Sequence, residues 1–407
     1  MDTAVNKITK LEEKFREAYM EYYYHFHKNP EKSYEEKETS AYVAEKLQKL
    51  PMDEVKTNIG GYGVVGVLKG GKPGPCVGLR ADMDALSVLE ATGVDFASCN
   101  PGVMHACGHD AHTAMLLGVA HVLCEIKDEV PGTVKFVFQP SEEMTPRGGA
   151  PGMIEDGVLE NPRVDVMLAS HVWPTFETGM IGAQDGIVSA ASDHLKIKVT
   201  GKSAHASMPH EGVDAIVAGA AVVGGLQTIV ARNIDPKETA VITIGLINGG
   251  TRYNVLPEEC FLEGTVRSFN KNVTAQMPVL IQRVVDGVSA GYGTTGEVDY
   301  ESGYPSVQNN PAVAKICRSA IAEVVGEDGV LPVQGVPAAG EDFSFFSLAA
   351  PSVFAWLGCR PKDIPLEQMP PLHNAKFLPD PEALQIGVRY MATAAMKVLS
   401  EYIPEKK

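Results

Sequence analysis

The chain has 407 residues, 44% of them hydrophobic and 21% charged, an ordinary balance for a folded chain of roughly two to three domains with a large buried core. Its 51 acidic residues against 35 basic ones leave a net charge of −16. That balance repels phosphate backbones and argues against nucleic acid as a partner and against a basic membrane-binding surface, and with no run of 18 or more apolar residues no membrane span is expected.

Residues 1–27 carry a charged amphipathic helix pattern without the apolar core of a secretory signal. Seven cysteines are scattered at Cys76, Cys99, Cys107, Cys124, Cys260, Cys317 and Cys359, odd in number and without a CxxC. Reduced thiols and a cytoplasmic location are the expectation. Up to about residue 185, strand-like runs alternate with helix-like ones. The runs 63–68, 76–80, 134–138 and 164–168 read as buried strands between Gly/Pro turns, and the pattern predicts a helix over 113–127. Such alternation predicts an α/β domain with a largely parallel sheet.

The texture changes at about residue 189. Residues 194–199 alternate as a half-exposed strand does. A helix over 213–232, strands over 239–247 and 259–267, a helix over 273–289 and a strand over 296–301 follow. The order βαββαβ is that of a ferredoxin-like unit. α/β texture resumes with a helix from about 311, a buried strand over 352–357 and a closing helix over 380–401. The expected division is therefore one α/β domain from 1–188 and 302–407, with 189–301 inserted.

The densest chemical feature is Met104-His105-Ala106-Cys107-Gly108-His109-Asp110-Ala111-His112. On an extended segment Cys107 and His109 point to the same side, and thiolate beside imidazole suits a borderline or soft divalent ion. A reactive Cys–His pair, or polar residues near a helix start, fits this nonapeptide equally well. Glu142 and Glu143 follow the predicted strand 134–138. On extended backbone they face opposite ways, so one can anchor an ion while its neighbour moves a proton, although a lone EE pair reads more simply as a solvated acidic loop. His171 and the run Arg80-Ala81-Asp82-Met83-Asp84 also follow predicted strands, and His373 lies beyond the strand near Val353. Ligand-type residues gathered at the carboxyl ends of several strands, where open α/β sheets place their sites, favour a metal site. Cys107, His109, Glu143, His171 and His373 are too many for one zinc with an open position. They suit two ions about 3.5–4 Å apart, bridged by Cys107 or solvent, with Asp82 and Asp110 as candidates for orienting a ligating imidazole.

These segments resemble the aminoacylase/carboxypeptidase family of metallo-amidohydrolases, in the branch of hippurate hydrolases, auxin-conjugate hydrolases and N-acyl-amino-acid amidohydrolases. The resemblance runs from His27-Lys28-Asn29-Pro30-Glu31, with Glu36 and Thr39, through Leu79 to Leu86, Met104 to His112, Phe138 to Glu143 and His171. It continues through Gly201-Lys202-Ser203-Ala204-His205, Asn254-Val255-Leu256-Pro257, Gly340 to Ser344 and His373-Asn374. It implies a di-metal exopeptidase-like catalytic domain with an inserted ferredoxin-like lid and dimerisation domain. The implied metal ligands are the five residues above, holding Mn²⁺, Zn²⁺, Co²⁺ or Ni²⁺. The implied general base and acid is Glu142, which deprotonates the attacking water and then protonates the leaving amine. His205 and Asn254 carry over as donors, His205 reaching a partner subunit's site in a homodimer. Arg267 carries over as the cation that holds the substrate carboxylate. The implied substrate is an acetyl-, benzoyl- or aryl-acetyl-amino acid or a short peptide. Ser87 and Lys32 depart from the branch's pattern, where proline and an apolar residue are usual; neither is a ligand. The alternatives are a dipeptidase or carboxypeptidase on the same site, a thiol enzyme using Cys107, and a non-catalytic metal-binding protein.

Overall fold

The computed structural model describes residues 4–332 and 339–403. These fall into two compact units, one of residues 4–188, 307–332 and 342–403, the other of residues 189–306 and 339–341.

The first unit runs α1 (Ala4–Lys28), α2 (Lys37–Gln48), β1 (Glu54–Ile59), β2 (Gly63–Lys69), β3 (Lys72–Asp82), α3 (His109–Glu125), β4 (Pro131–Gln139), α4 (Ala150–Glu155), β5 (Val166–Glu177), β6 (Ile181–Gly182) and β7 (Gly186–Ile187). The second unit contributes β8 (Ala191–Thr200), β9 (Ala204–His205), α5 (Ala215–Asn233), β10 (Ala240–Gly249), β11 (Val255–Leu256), β12 (Glu259–Ser268), α6 (Lys271–Tyr292) and β13 (Thr295–Tyr304). The chain then returns to the first unit with β14 (Gln308–Asn309), α7 (Pro311–Val325), α8 (Phe343–Ala349), β15 (Ser352–Arg360) and α9 (Pro381–Glu401).

The main sheet has the order β1-β2-β4-β3-β5-β15-β6. Its inner strands β4, β3, β5 and β15 are parallel, while β1, β2 and β6 join antiparallel. Parallel strands covered on both faces read as continuous apolar runs, and β15 is buried along its whole length. One face packs on α1, α3 and α9 through Tyr19, Tyr23, Leu117, Phe136, Phe138 and Val388. The other packs through Val137, Met153, Met167, Phe343, Phe346 and Phe354. The central helix α3 is buried on nearly every side. Gly118 lets its neighbours come this close, since a Cβ there would lie 2.9 Å from both the Tyr19 ring and Val388 Cγ2. The chain runs from β3 to β4 on one side and later to β5 on the other. The gap between β3 and β5 is therefore the point where strand order reverses.

In the second unit the antiparallel order β10-β12-β8-β13 is that of a ferredoxin-like sheet. Leu195, Ile197 and Val199 of β8 alternate inward and pack with Val222, Leu226 and Ile229 of α5 and with Met277 and Ile281 of α6. By length and composition alone α5 meets the description of a membrane-crossing helix, which corrects the expectation that no segment would. One of its faces packs in the apolar core of this unit.

Most expected elements are present with shifted ends. Strand β1 was not expected: its residues Glu-Val-Lys-Thr-Asn-Ile are partly or fully exposed and show no alternation. β5 continues to Glu177, which puts His171 inside a strand rather than after one, and α3 starts at His109 rather than 113.

Candidate metal centre

The segment before α3 is a turn rather than extended backbone. Gly108, with φ of +85°, separates Cys107 from His109 at the helix start, and a Cβ there would lie 2.5 Å from Val172 Cγ2. Only glycine takes this conformation at no steric cost. The turn brings the ligand atoms of Cys107, His109 and His171 within 4.8 Å of one another, with Cys107 Sγ 3.5 Å from His171 Nε2. Each imidazole is oriented through its other nitrogen. His171 Nδ1 donates to the Val172 carbonyl at 2.7 Å. His109 Nδ1 lies 2.9 Å from the Asp84 carbonyl and 3.2 Å from Asp84 Oδ1. The Nε2 lone pairs are thereby left facing the cluster.

The segment after β4 is also a turn. Ser141 has φ of +60°, and Glu142 and Glu143 follow it in turn conformation rather than on extended backbone. Glu143 N donates to Asp84 Oδ2 at 2.9 Å. Glu143 Oε1 lies 4.0 Å from His109 Nε2 and 3.1 Å from His373 Nε2. His373, with φ of +64°, is tied beside the cysteine turn by its backbone N–H, which donates to Ala106 O at 2.8 Å. Cys107, Glu143 and His373 form a second group of ligand atoms within 4.8 Å, and His109, Glu142 and Glu143 a third. The first two groups share Cys107. Glu142 is buried, and Asp342 N approaches its Oε1 at 3.4 Å.

These residues fit divalent ions. His109 Nε2 is buried without a hydrogen-bond partner, which costs about 1–3 kcal/mol unless something else meets it, and Glu143 Oε1 lies 4.0 Å from it while facing the His373 imidazole at 3.1 Å. A thiol, three imidazoles and a carboxylate are a donor set for borderline transition ions. The local field has the matching sign. Burial opposes charge on His109, but Asp82, Asp84 and Glu143 outweigh it and raise its pKa to about 10. Burial, then Glu143 and Glu142, push the Cys107 thiol well above its ordinary range. A nucleophilic thiol needs the opposite environment, so the site disfavours the thiol-enzyme alternative.

The two acids expected to orient a ligating imidazole do other work. Asp82 Oδ1 bonds His112 Nδ1 at 2.6 Å, and Val172 N donates to His112 Nε2 at 2.9 Å. Asp110 turns away to His27, with Nδ1–Oδ2 at 2.6 Å, and His27 Nε2 lies 3.1 Å from Glu90 Oε1. Asp84 is the acid that holds His109 and the Glu143 backbone. It lies two residues after Asp82, and the two acids face the same helix, Asp82 at His112 and Asp84 at His109. Arg80 donates to Asp82 Oδ2 at 2.7 Å, Asp342 Oδ1 at 2.8 Å and Gln139 Oε1 at 2.8 Å.

His205, Asn254 and Arg267 belong to the second unit. His205, on β9, pairs with Val255 of β11, and Ala206 N donates to Asn254 O at 3.2 Å, so His205 and Asn254 are neighbours. Ser207 N donates to His205 Nδ1 at 3.2 Å, which leaves Nε2 as the protonated, donating nitrogen of the neutral ring. Arg267, on β12, donates to Thr265 Oγ1 and to Val266 O.

The sequence pattern of Peptidase family M20/M25/M40 matches residues 78–397. The chain is similar to thermostable carboxypeptidase 2 of Saccharolobus solfataricus, 40% identical with 91% of this chain and 93% of the relative covered. It is similar to an N-acyl-L-amino acid amidohydrolase of Geobacillus stearothermophilus, 42% identical over 70% of this chain and 76% of the relative. Among solved structures it is similar to the Bacillus subtilis YXEP protein, described as a dinuclear metal binding peptidase from the M20 family. There the TM-score is 0.82 and the identity 32%, over 95% of this chain and 99% of that one.

The chain's two tryptophans, Trp173 and Trp356, each have their ring centroid 6.1 Å from that of His171, which supplies a built-in probe. Adding Co²⁺ or Ni²⁺ to chelator-stripped protein should quench their emission, and His171→Ala should weaken the apparent affinity at least about tenfold. Emission unchanged through saturating Co²⁺ would place the ion elsewhere.

Proposed function

The chain belongs to peptidase family M20/M25/M40, and on that footing we propose that it is a metal-dependent amidohydrolase cleaving N-acyl amino acids into a carboxylic acid and a free amino acid. The similarity to an N-acyl-L-amino acid amidohydrolase supports this substrate class. The observation that carries it is the clustering of Cys107, His109, Glu143, His171 and His373 with Glu142 beside them. A dipeptidase or carboxypeptidase acting at the same centre is a second reading, favoured by the similarity to a carboxypeptidase.

In this reading Cys107, His109, Glu143, His171 and His373 hold two divalent ions, with Mn²⁺, Zn²⁺, Co²⁺ and Ni²⁺ all compatible with the donors. When bound, the ions supply Lewis acidity toward the scissile carbonyl. Glu142 takes the proton of the attacking water and returns it to the leaving amine, a double task suited to a buried carboxylate whose neighbour Glu143 is committed as a ligand. Asp84 keeps His109 and Glu143 in register, and Asp82 does the same for His112. His205 and Asn254 offer donors to the developing oxyanion, and Arg267 offers a guanidinium to the substrate carboxylate. Seven free cysteines fit a reducing compartment such as the cytoplasm.

The spacing of these last residues favours a homodimer. On β12, Glu259 pairs with Thr200 while Arg267 pairs with Ser192. Arg267 is thus roughly 27 Å along the strand from the end that carries β9 and β11. One small substrate does not span that length, so we assign Arg267 and the His205–Asn254 pair of one chain to different active sites of a dimer.

Glu142→Gln should lower kcat by about 10²–10⁴-fold on N-acyl amino acids while metal content stays at the parent level. Unchanged turnover would remove Glu142 from the mechanism. Mixed and reassociated Glu142→Gln and His205→Ala chains, each inactive alone, should regain about a quarter of parent activity, because half of the dimers are hybrids with one intact site. No recovery would mean that His205 serves its own chain.

A further inference from the structure

The segment from Pro30 to Glu36 has no part in the chemistry above, yet it carries a buried acid. Glu36 stands at the N-cap of α2, where a side-chain oxygen ordinarily accepts from the helix's first free N–H groups. It makes no such bond. Glu31 caps the helix instead, accepting from Glu38 N at 3.1 Å, Thr39 N at 2.8 Å and Thr39 Oγ1 at 2.8 Å. The Glu36 carboxylate crosses to the end of β4. There its Oε1 accepts from Ser141 N at 2.6 Å and from Ser141 Oγ at 3.0 Å. Ser141 Oγ in turn accepts from Tyr34 N at 2.9 Å. Glu36 is 0% exposed and its Oε2 has no hydrogen-bond partner. Burying a carboxylate in this way is unfavourable, and the stability of α2 does not account for it.

Ser141 has φ of +60°, a left-handed conformation uncommon for a residue with a Cβ. The next two residues are Glu142 and Glu143. A second buried acid holds the far side of the same turn: Asp84 Oδ2 accepts from Glu143 N at 2.9 Å and from Ser33 Oγ at 2.6 Å. Two carboxylates therefore pin the turn at its first and third backbone N–H groups, and both are tied to residues 33–36.

We propose that Glu36 is a positioning residue, whose grip on the Ser141 N–H and hydroxyl keeps that residue left-handed and so aims Glu142 and Glu143. Its effect on turnover rests on the amidohydrolase reading. Released from the clamp, Ser141 relaxes toward the extended region and swings the following peptide. Misplacing a proton-transferring group by about an ångström can cost on the order of 10²-fold in rate.

At saturating Mn²⁺, Glu36→Leu should lower kcat about 10–100-fold with KM changed less than about threefold. Glu36→Gln, which keeps a carbonyl acceptor, should stay within about threefold of the parent on the same scale. Adding Ser141→Gly to Glu36→Leu should recover part of the loss, because glycine adopts this φ without a clamp. Ser141→Val, which resists a positive φ with Glu36 intact, should lower kcat as Glu36→Leu does, and decides the matter if the leucine variant does not fold. A crystal structure of a folded low-activity variant should show residue 141 outside the left-handed region. Parent-level kcat in both Glu36→Leu and Ser141→Val, or a φ still near +60° in the variant crystal, overturns the proposal. If the parent protein cleaves no N-acyl amino acid or dipeptide, the amidohydrolase reading falls, and the φ of residue 141 in the variant crystal still decides this one.

Discussion

Four carboxylates, Asp82, Asp84, Glu142 and Glu143, and the thiol of Cys107 gather around one end of a parallel sheet, and Asp82, Asp84, Glu142 and Cys107 are buried there. Like charges this close repel strongly once water is removed. Two of these acids are held by their own donors: Arg80 and His112 for Asp82, His109 and Ser33 for Asp84. These arrangements leave His109 Nε2 without a hydrogen-bond partner and Glu143 Oε1 4.0 Å from it, with the thiol and two further imidazoles close by. Divalent cations would balance that charge and meet those atoms together, and the hydrogen bonds around these residues hold the candidate donors in place.

The sheet does this by topology. β3, β4 and β5 are parallel, so their carboxyl ends lie side by side, and strand order reverses between β3 and β5. β3 delivers Asp82 and Asp84, β4 delivers Glu142 and Glu143, and β5 delivers His171. The turn at Gly108 adds Cys107 and His109. His373 arrives from the far end of the chain, tied to Ala106 by its backbone. No two of these segments need local stability of their own, because the core beneath them fixes the strands.

Much of this was legible in the sequence. Apolar runs gave the inner strands, and the clean alternation of β8 with the βαββαβ order gave the ferredoxin-like unit. The candidate ligand residues stand out in the sequence because Cys, His and paired Glu are uncommon side by side, and the structure brings them together. What the sequence hid is backbone conformation and distant pairing. Cys107–His109 and Ser141–Glu143 form turns with positive φ, not extended segments. Asp84 and Glu36 bond residues 25 to 105 positions away in the chain, a separation that no local pattern encodes. Asp110, adjacent to His109 in sequence, faces His27 instead, because successive helical side chains point about 100° apart. β1 escaped notice because an exposed edge strand carries no apolar alternation.

The most direct measurement is anomalous diffraction at the metal edge from crystals of protein loaded with Zn²⁺ or Mn²⁺. Two peaks about 3.5–4 Å apart are expected, one ringed by Cys107, His109 and His171 and the other by Cys107, Glu143 and His373. Peaks surrounded by other residues, or none within reach of Cys107, would contradict a shared di-metal centre.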